Sequence, residues 1–133
     1  MNIGFLGLGK LGLPVSLAVE DKGHKIFGYD ISKQTLQDIK DRKIRYREEW
    51  VDKYLPNTKL EINNIEQLVK NSEIIFVPIQ TPHDPQYEGV TRIPDKRIDF
   101  DYTYLKSGIE DLSKAIEKNG EDKVVIIIST VLP

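Results

Sequence analysis

Five short apolar runs alternate with segments of helical periodicity along this chain, and that alternation restricts the fold more than any other feature. The runs read as strands at Asn2–Leu6, Lys25–Tyr29, Lys59–Ile62, Glu73–Ile79 and Lys123–Ser129, the third of them weak. Several are apolar at consecutive rather than alternate positions, as expected of strands buried on both faces. Between them, Lys10–Lys22 reads as a helix with Val15, Ala18, Val19 and Lys22 at helical spacing and Gly23 as its stop. Ser32 is placed to cap a helix carrying Leu36 and Ile39, and Glu48–Tyr54 reads as partly helical before the break at Pro56-Asn57. Asn63 with Glu66 resembles a capping box opening a helix through Ile65, Leu68 and Val69. Leu105, Ile109, Leu112 and Ile116 form the apolar stripe of a last helix.

Strands and helices in this order build an α/β fold, a doubly wound parallel sheet covered on both faces. The expected strand order is 3-2-1-4-5, ending after strand 5. Ligands of such sheets bind beyond the carboxyl ends of the strands, where the order reverses between strands 1 and 4. Chemistry is therefore expected just after strands 1, 2, 4 and 5.

Composition narrows the class. A chain of 133 residues is about one domain, and 39% hydrophobic with 30% charged residues is ordinary for a soluble globular protein. No apolar run approaches the roughly 18 residues of a membrane span, and no signal-like segment precedes Ile3. The net charge of −2 argues against a nucleic-acid partner held by bulk charge. Absence of cysteine excludes disulfides, thiolate metal sites and a cysteine nucleophile within these residues. His83 beside Asp84 is too sparse for a metal site. The expectation is a soluble, cytoplasmic single domain without a metal.

The first strand runs into Gly7-Leu8-Gly9-Lys10-Leu11-Gly12, a G-x-G-x-x-G. Gly7 permits the tight turn, Gly9 lets a pyrophosphate approach the backbone, and Gly12 lets the helix lie close to the strand. The helix N-terminus then offers the N–H groups of Lys10 and Leu11 to phosphate. Such a turn alone is weak evidence, but here it follows a strand, opens a helix, and is answered by Asp30 at the tip of strand 2. A carboxylate there accepts hydrogen bonds from ribose hydroxyls and repels a 2′-phosphate, so the expected cofactor is NAD rather than NADP. Lys33 is a candidate to lie over the adenosine, set against an ordinary solvated lysine. After strand 4 comes Gln80-Thr81-Pro82, with Thr81 expected to aim its hydroxyl and N–H at the crevice, and after strand 5 Ser129-Thr130 takes the neighbouring place.

Taken together, "GLGKLGLPVSLAVEDKGHKIFGYDIS", "IIFVPIQTP" and "STVLP" resemble the N-terminal, Rossmann-type domain of the UDP-glucose/GDP-mannose dehydrogenase family, in the same order and over almost the whole chain. The resemblance implies an NAD-dependent enzyme that oxidises the 6-hydroxyl of a nucleotide sugar to a carboxylate, passing two hydrides to two NAD. Carried over by position, Lys10 and Leu11 bind the pyrophosphate through their backbone N–H groups, and Asp30 the ribose. Thr81 and Thr130 flank the nicotinamide half, Thr130 also near the reacting centre in a supporting catalytic role. His24 matches a structural Gly-His. The family's cysteine nucleophile lies downstream of these residues. The resemblance thus implies that residues 1–133 are the NAD-binding part of a longer, homodimeric protein whose substrate-binding domain follows.

Three stretches depart from the family pattern. Leu132 takes the place of a proline, and Pro78 falls in strand 4, where it suits only the strand's end. The Gly- and Pro-containing segment after helix 2, which ends in a glutamate, appears as "DRKIRYREEWVDKYL". Glu48 or Glu49 could stand in for that acid, while Tyr46 and Trp50 read as core or interface. His83–Phe100 is a long polar loop, read either as a lid over the crevice or as a surface decoration. Two alternatives compete with the main reading. One is a dehydrogenase of the 3-hydroxyacid/6-phosphogluconate type, which lacks the Gln-Thr-Pro and long loop. The other is a non-catalytic module that senses NAD.

Overall fold

A computed structural model of the chain describes residues 1–87, 92, 95–96 and 98–131. Its five strands are β1 (Asn2–Leu6), β2 (Lys25–Tyr29), β3 (Glu61–Ile62), β4 (Ile74–Val77) and β5 (Val124–Ile127). All pair in parallel, in the order β3-β2-β1-β4-β5. The helices are α1 (Gly12–Asp21), α2 (Lys33–Lys40), α3 (Glu49–Tyr54), α4 (Ile65–Asn71) and α5 (Thr103–Asn119). The expected architecture and strand order are therefore present.

Adjacent residues of the central strands point to opposite faces, and both faces are apolar. Phe5 and Ile26 join Leu13, Leu17 and Ile39 in one core, beneath α1 and α2. Leu6 and Phe27 join Leu68, Ile75, Val77 and Leu112 in the other, beneath α4 and α5. This explains why β1 and β2 read as unbroken apolar runs. Phe5 also stacks on Phe76 of β4, with ring centroids 5.3 Å apart.

The structure corrects three local expectations. The buried stripe of α1 is Leu13, Ser16 and Leu17, not Ala18 and Lys22, which are exposed; Val15 and Val19 only flank the core. Ser16 is buried without cost because its hydroxyl donates back to the Leu13 carbonyl at 2.7 Å. The capping box of α4 is Asn64 with Gln67, one residue later than Asn63 with Glu66. Asn63 is already spent, since its N–H donates to the Gly28 carbonyl at 2.8 Å and continues the β3 pairing.

Among the described strands β5 pairs with β4, and within residues 1–133 its Val124 and Ile127 are 56% and 47% exposed. Of the core and interface readings of Trp50 the core one falls: the residue is 58% exposed and stacks on Tyr54 along α3.

The short β3 is held from outside the sheet. The Glu20 carboxylate at the end of α1 accepts from the Thr58 hydroxyl and, at 2.7 Å, from the Lys59 N–H. Leu68 lies where α4 meets the sheet and is 0% exposed. Truncating it leaves a cavity in the second core, so Leu68→Ala should lower stability by about 2–5 kcal/mol. Urea unfolding should show this as a lower midpoint with an unchanged slope.

Candidate functional site

The turn between β1 and α1 is fixed from several sides. Gly7 has φ of 117°, a conformation open to glycine at little cost, and its N–H donates to the Tyr29 carbonyl at 2.8 Å. The side chain of Leu8 is buried over Gly28 of β2, where a Cβ would lie 2.7 Å from Leu8 Cδ1. Gly12 packs so tightly that a Cβ would collide with the Gly7 carbonyl oxygen and lie 2.8 Å from Pro78 Cγ. Pro78 itself is buried and follows the last residue of β4, so it costs the ladder nothing and props the turn from below.

Gly9 is different. Its φ is not positive, and a Cβ built on it meets nothing within 4 Å. The helical ladder starts with Leu13, whose N–H donates to the Gly9 carbonyl at 3.0 Å. The N–H groups of Lys10 and Leu11 precede that ladder.

Asp30 ties this turn to the next strand–helix junction. Its Oδ2 accepts from the Leu8 N–H at 2.7 Å, and its Oδ1 from the Ser32 N–H at 2.8 Å. A carboxylate has about four lone-pair sites, so both oxygens keep capacity for a further donor. Ser32 then caps α2 as expected, its hydroxyl accepting from the Thr35 N–H at 3.2 Å.

A cavity of about 230 Å³ opens between these elements, walled by Gly9, Lys10, Ser32, Thr35, Arg45 and Tyr46. Lys33 stands exposed at the start of α2 and is not in its wall. Neither are Glu48 and Glu49, which open α3. Arg45 and Tyr46 carry no motif, and only the chain's return from α2 to α3 brings them here. Arg45 pairs with Asp38 of α2, Nε to Oδ2 at 2.8 Å, and this hydrogen bond holds the Asp38 carboxyl below its ordinary range. The Tyr46 hydroxyl is shielded from solvent without a protein partner among the described residues. Burial, and then the Glu48 charge, push its phenol up. A larger hollow of about 320 Å³ beside α3, lined by Arg42, Lys43 and Asp52 among others, contains none of the expected site residues. Size alone does not make it the site.

The two threonines meet each other across the neighbouring strand ends. The Thr81 hydroxyl donates to the Thr130 carbonyl at 2.7 Å, so it is spent within the chain rather than aimed freely into the crevice. Ser129 donates to the Val77 carbonyl at 3.0 Å and ties the same two strands. The loop that leaves here returns to its origin, with the Asp101 N–H donating to the Pro82 carbonyl at 2.8 Å. Residues 88–91, 93–94 and 97 of that loop, and Leu132 and Pro133, lie outside the described residues. Among the described residues, no three His, Cys, Asp or Glu side chains could share a metal ion. No described helix is long and apolar enough to cross a membrane.

Asp30 thus has a structural duty independent of any ligand. Asp30→Ala strips acceptors from the Leu8 and Ser32 amides and should destabilise the chain by about 1.5–3 kcal/mol, the range for hydrogen bonds to a charged group. Thermal or urea unfolding in ligand-free buffer checks this. Asp30→Asn keeps one acceptor and should lose less.

Known proteins provide an independent view. A UDP-glucose/GDP-mannose dehydrogenase family model, that of the NAD binding domain, matches residues 1–133. Protein CapL of Staphylococcus aureus is 30% identical over 132 residues, which are 99% of this chain and 27% of that protein. UDP-N-acetyl-D-mannosamine dehydrogenase of Pyrococcus horikoshii is 26% identical over 137 residues, with 100% and 29% covered. Among solved structures, a ternary complex of GDP-mannose dehydrogenase from Pseudomonas aeruginosa superposes with a TM-score of 0.81 at 23% identity, over 100% of this chain and 29% of that one, a likeness that concerns the fold. The chain therefore spans less than a third of the length of these curated relatives. It belongs to the UDP-glucose/GDP-mannose dehydrogenase family and corresponds to the family's NAD-binding domain.

Proposed function

We propose that residues 1–133 form the cofactor-binding domain of a nucleotide-sugar 6-dehydrogenase, with Gly7–Gly12 as the pyrophosphate turn and Asp30 as the ribose ligand. The observation that carries this reading is the contrast within one turn. Gly7 and Gly12 are closed in by protein, whereas Gly9 opens on space beside N–H groups that no helical turn precedes. A purely structural turn would have no need of a bare Cα at Gly9. Helix N–H groups in that position suit an anion, because they are unsatisfied by the helix and carry its positive dipole end.

The residues present fit NAD. Lys10 and Leu11 donate backbone N–H groups to the pyrophosphate, and Gly9 leaves room for it. Asp30 holds ribose hydroxyls with the lone pairs not used by Leu8 and Ser32, and its charge excludes a 2′-phosphate. Lys33, exposed beside this junction, serves at most as a long-range positive charge. Thr81 and Thr130, joined by their hydrogen bond, form a rigid rim for the nicotinamide half, with the Thr130 side chain towards the reacting centre. When bound, the cofactor accepts the hydride removed from the sugar alcohol. The sequence of this chain has no cysteine to hold the aldehyde formed by the first oxidation, so that chemistry belongs to the rest of the protein. The competing 3-hydroxyacid dehydrogenase and sensor readings lose ground to the family membership.

Gly9→Ala tests the reading without disturbing the fold. The added methyl meets no protein atom and needs no unusual φ, so the melting temperature in ligand-free buffer should stay close to the parent's. The parent should gain about 2.7 kcal/mol of stability at a hundredfold excess of NAD over its dissociation constant, and the variant should gain almost none. A variant that NAD stabilises as fully as the parent would show that the turn is structural only.

A further inference from the structure

The wall facing the phosphate turn carries a cation that no sequence motif announces. Arg45 lies between α2 and α3 and borders the same cavity as Gly9 and Lys10. Asp38 engages its Nε at 2.8 Å and one terminal nitrogen at 3.5 Å. A guanidinium has five N–H donors, so this pairing orients the group and leaves donors unspent. The Arg45 side chain is 69% exposed, and those donors are therefore open to solvent and ligand. Asp38, only 19% exposed, serves as the anchor of the pair. Of the charged groups in the wall, Lys10 and Arg45 are cationic and Asp38 is the anion, already committed to Arg45. The lining thus favours a ligand with more than one negative oxygen, at a point where backbone N–H groups offer only partial charge.

We propose that Arg45 is a side-chain ligand of the cofactor's pyrophosphate, oriented by Asp38. The role is distinct from that of Asp30: Asp30 selects the sugar, Arg45 neutralises the diphosphate. A planar guanidinium pairs two oxygens at once, which lysine cannot do. The inference rests on the cofactor reading above, and its test separates the two.

The experiment measures dissociation constants for NAD, AMP and adenosine by calorimetry or NMR titration, on the parent chain and on Arg45→Ala, Arg45→Lys and Asp38→Asn. Arg45→Ala should weaken NAD by about tenfold or more, as for a lost hydrogen bond to a charged group. It should weaken AMP in the same direction and leave adenosine, which has no phosphate, unchanged. Arg45→Lys should recover only part of the loss. Raising the salt concentration should narrow the gap between parent and Arg45→Ala, because the lost contact is one between charges near the surface. Asp38→Asn retains the cation and should keep most of the NAD affinity. A larger loss in Asp38→Asn than in Arg45→Ala would mean that the pair only braces the α2–α3 link, and would overturn the proposal. So would NAD affinity in Arg45→Ala within twofold of the parent, or an equal loss of adenosine. A parent that binds no NAD at all would instead remove the cofactor reading first, and this inference with it.

Discussion

The site depends on one close approach, that of Gly12 to the carbonyl of Gly7. Any side chain at residue 12 would collide with that oxygen and crowd Pro78. Because none is there, α1 starts almost on top of β1, and its first N–H groups lie over the carboxyl end of the sheet. The remaining contacts fix what that approach permits. Leu8 anchors the turn in the first core, and Asp30 fastens its backbone to the tip of β2. The turn is therefore preorganised, and a ligand arriving there would not have to order the backbone as it binds.

The parallel sheet supplies the rest by position. Order β3-β2-β1-β4-β5 sends the chain to opposite sides after β1 and β4, leaving the crevice between α1 and the segment beyond β4. Asp30 and Arg45 stand on the β2 side of it, and Thr81 and Thr130 on the β4–β5 side. The hydrogen bond from Thr81 to Thr130 ties together the segments that follow β4 and β5.

Features that depend on local chemistry could be read from the sequence, and those that depend on packing direction could not. The strands, their order, the Ser32 cap and the glycine turn follow from residue type and spacing. The α1 stripe did not, because Ser16 looks polar until its hydroxyl is seen bonded to the Leu13 carbonyl. The α4 cap slipped by one residue because Asn63 and Asn64 are equivalent as letters, and only the strand pairing assigns Asn63 to β3. Arg45 was invisible for the same reason. An arginine in a charged segment carries no signal until the fold brings it to the cavity that Gly9 also lines. Pro78 is the converse case: an oddity in the strand reading became the prop beneath the turn.

The central claim is that phosphate is received by the backbone of the Gly7–Gly12 turn. Titrating NAD into the ¹⁵N-labelled chain and following the amide resonances addresses it residue by residue. The account predicts the largest shifts at Gly9, Lys10 and Leu11, with smaller ones at the Leu8 and Ser32 amides that share the Asp30 carboxylate. Shifts concentrated around the hollow beside α3, with the turn amides unmoved at saturation, would contradict it.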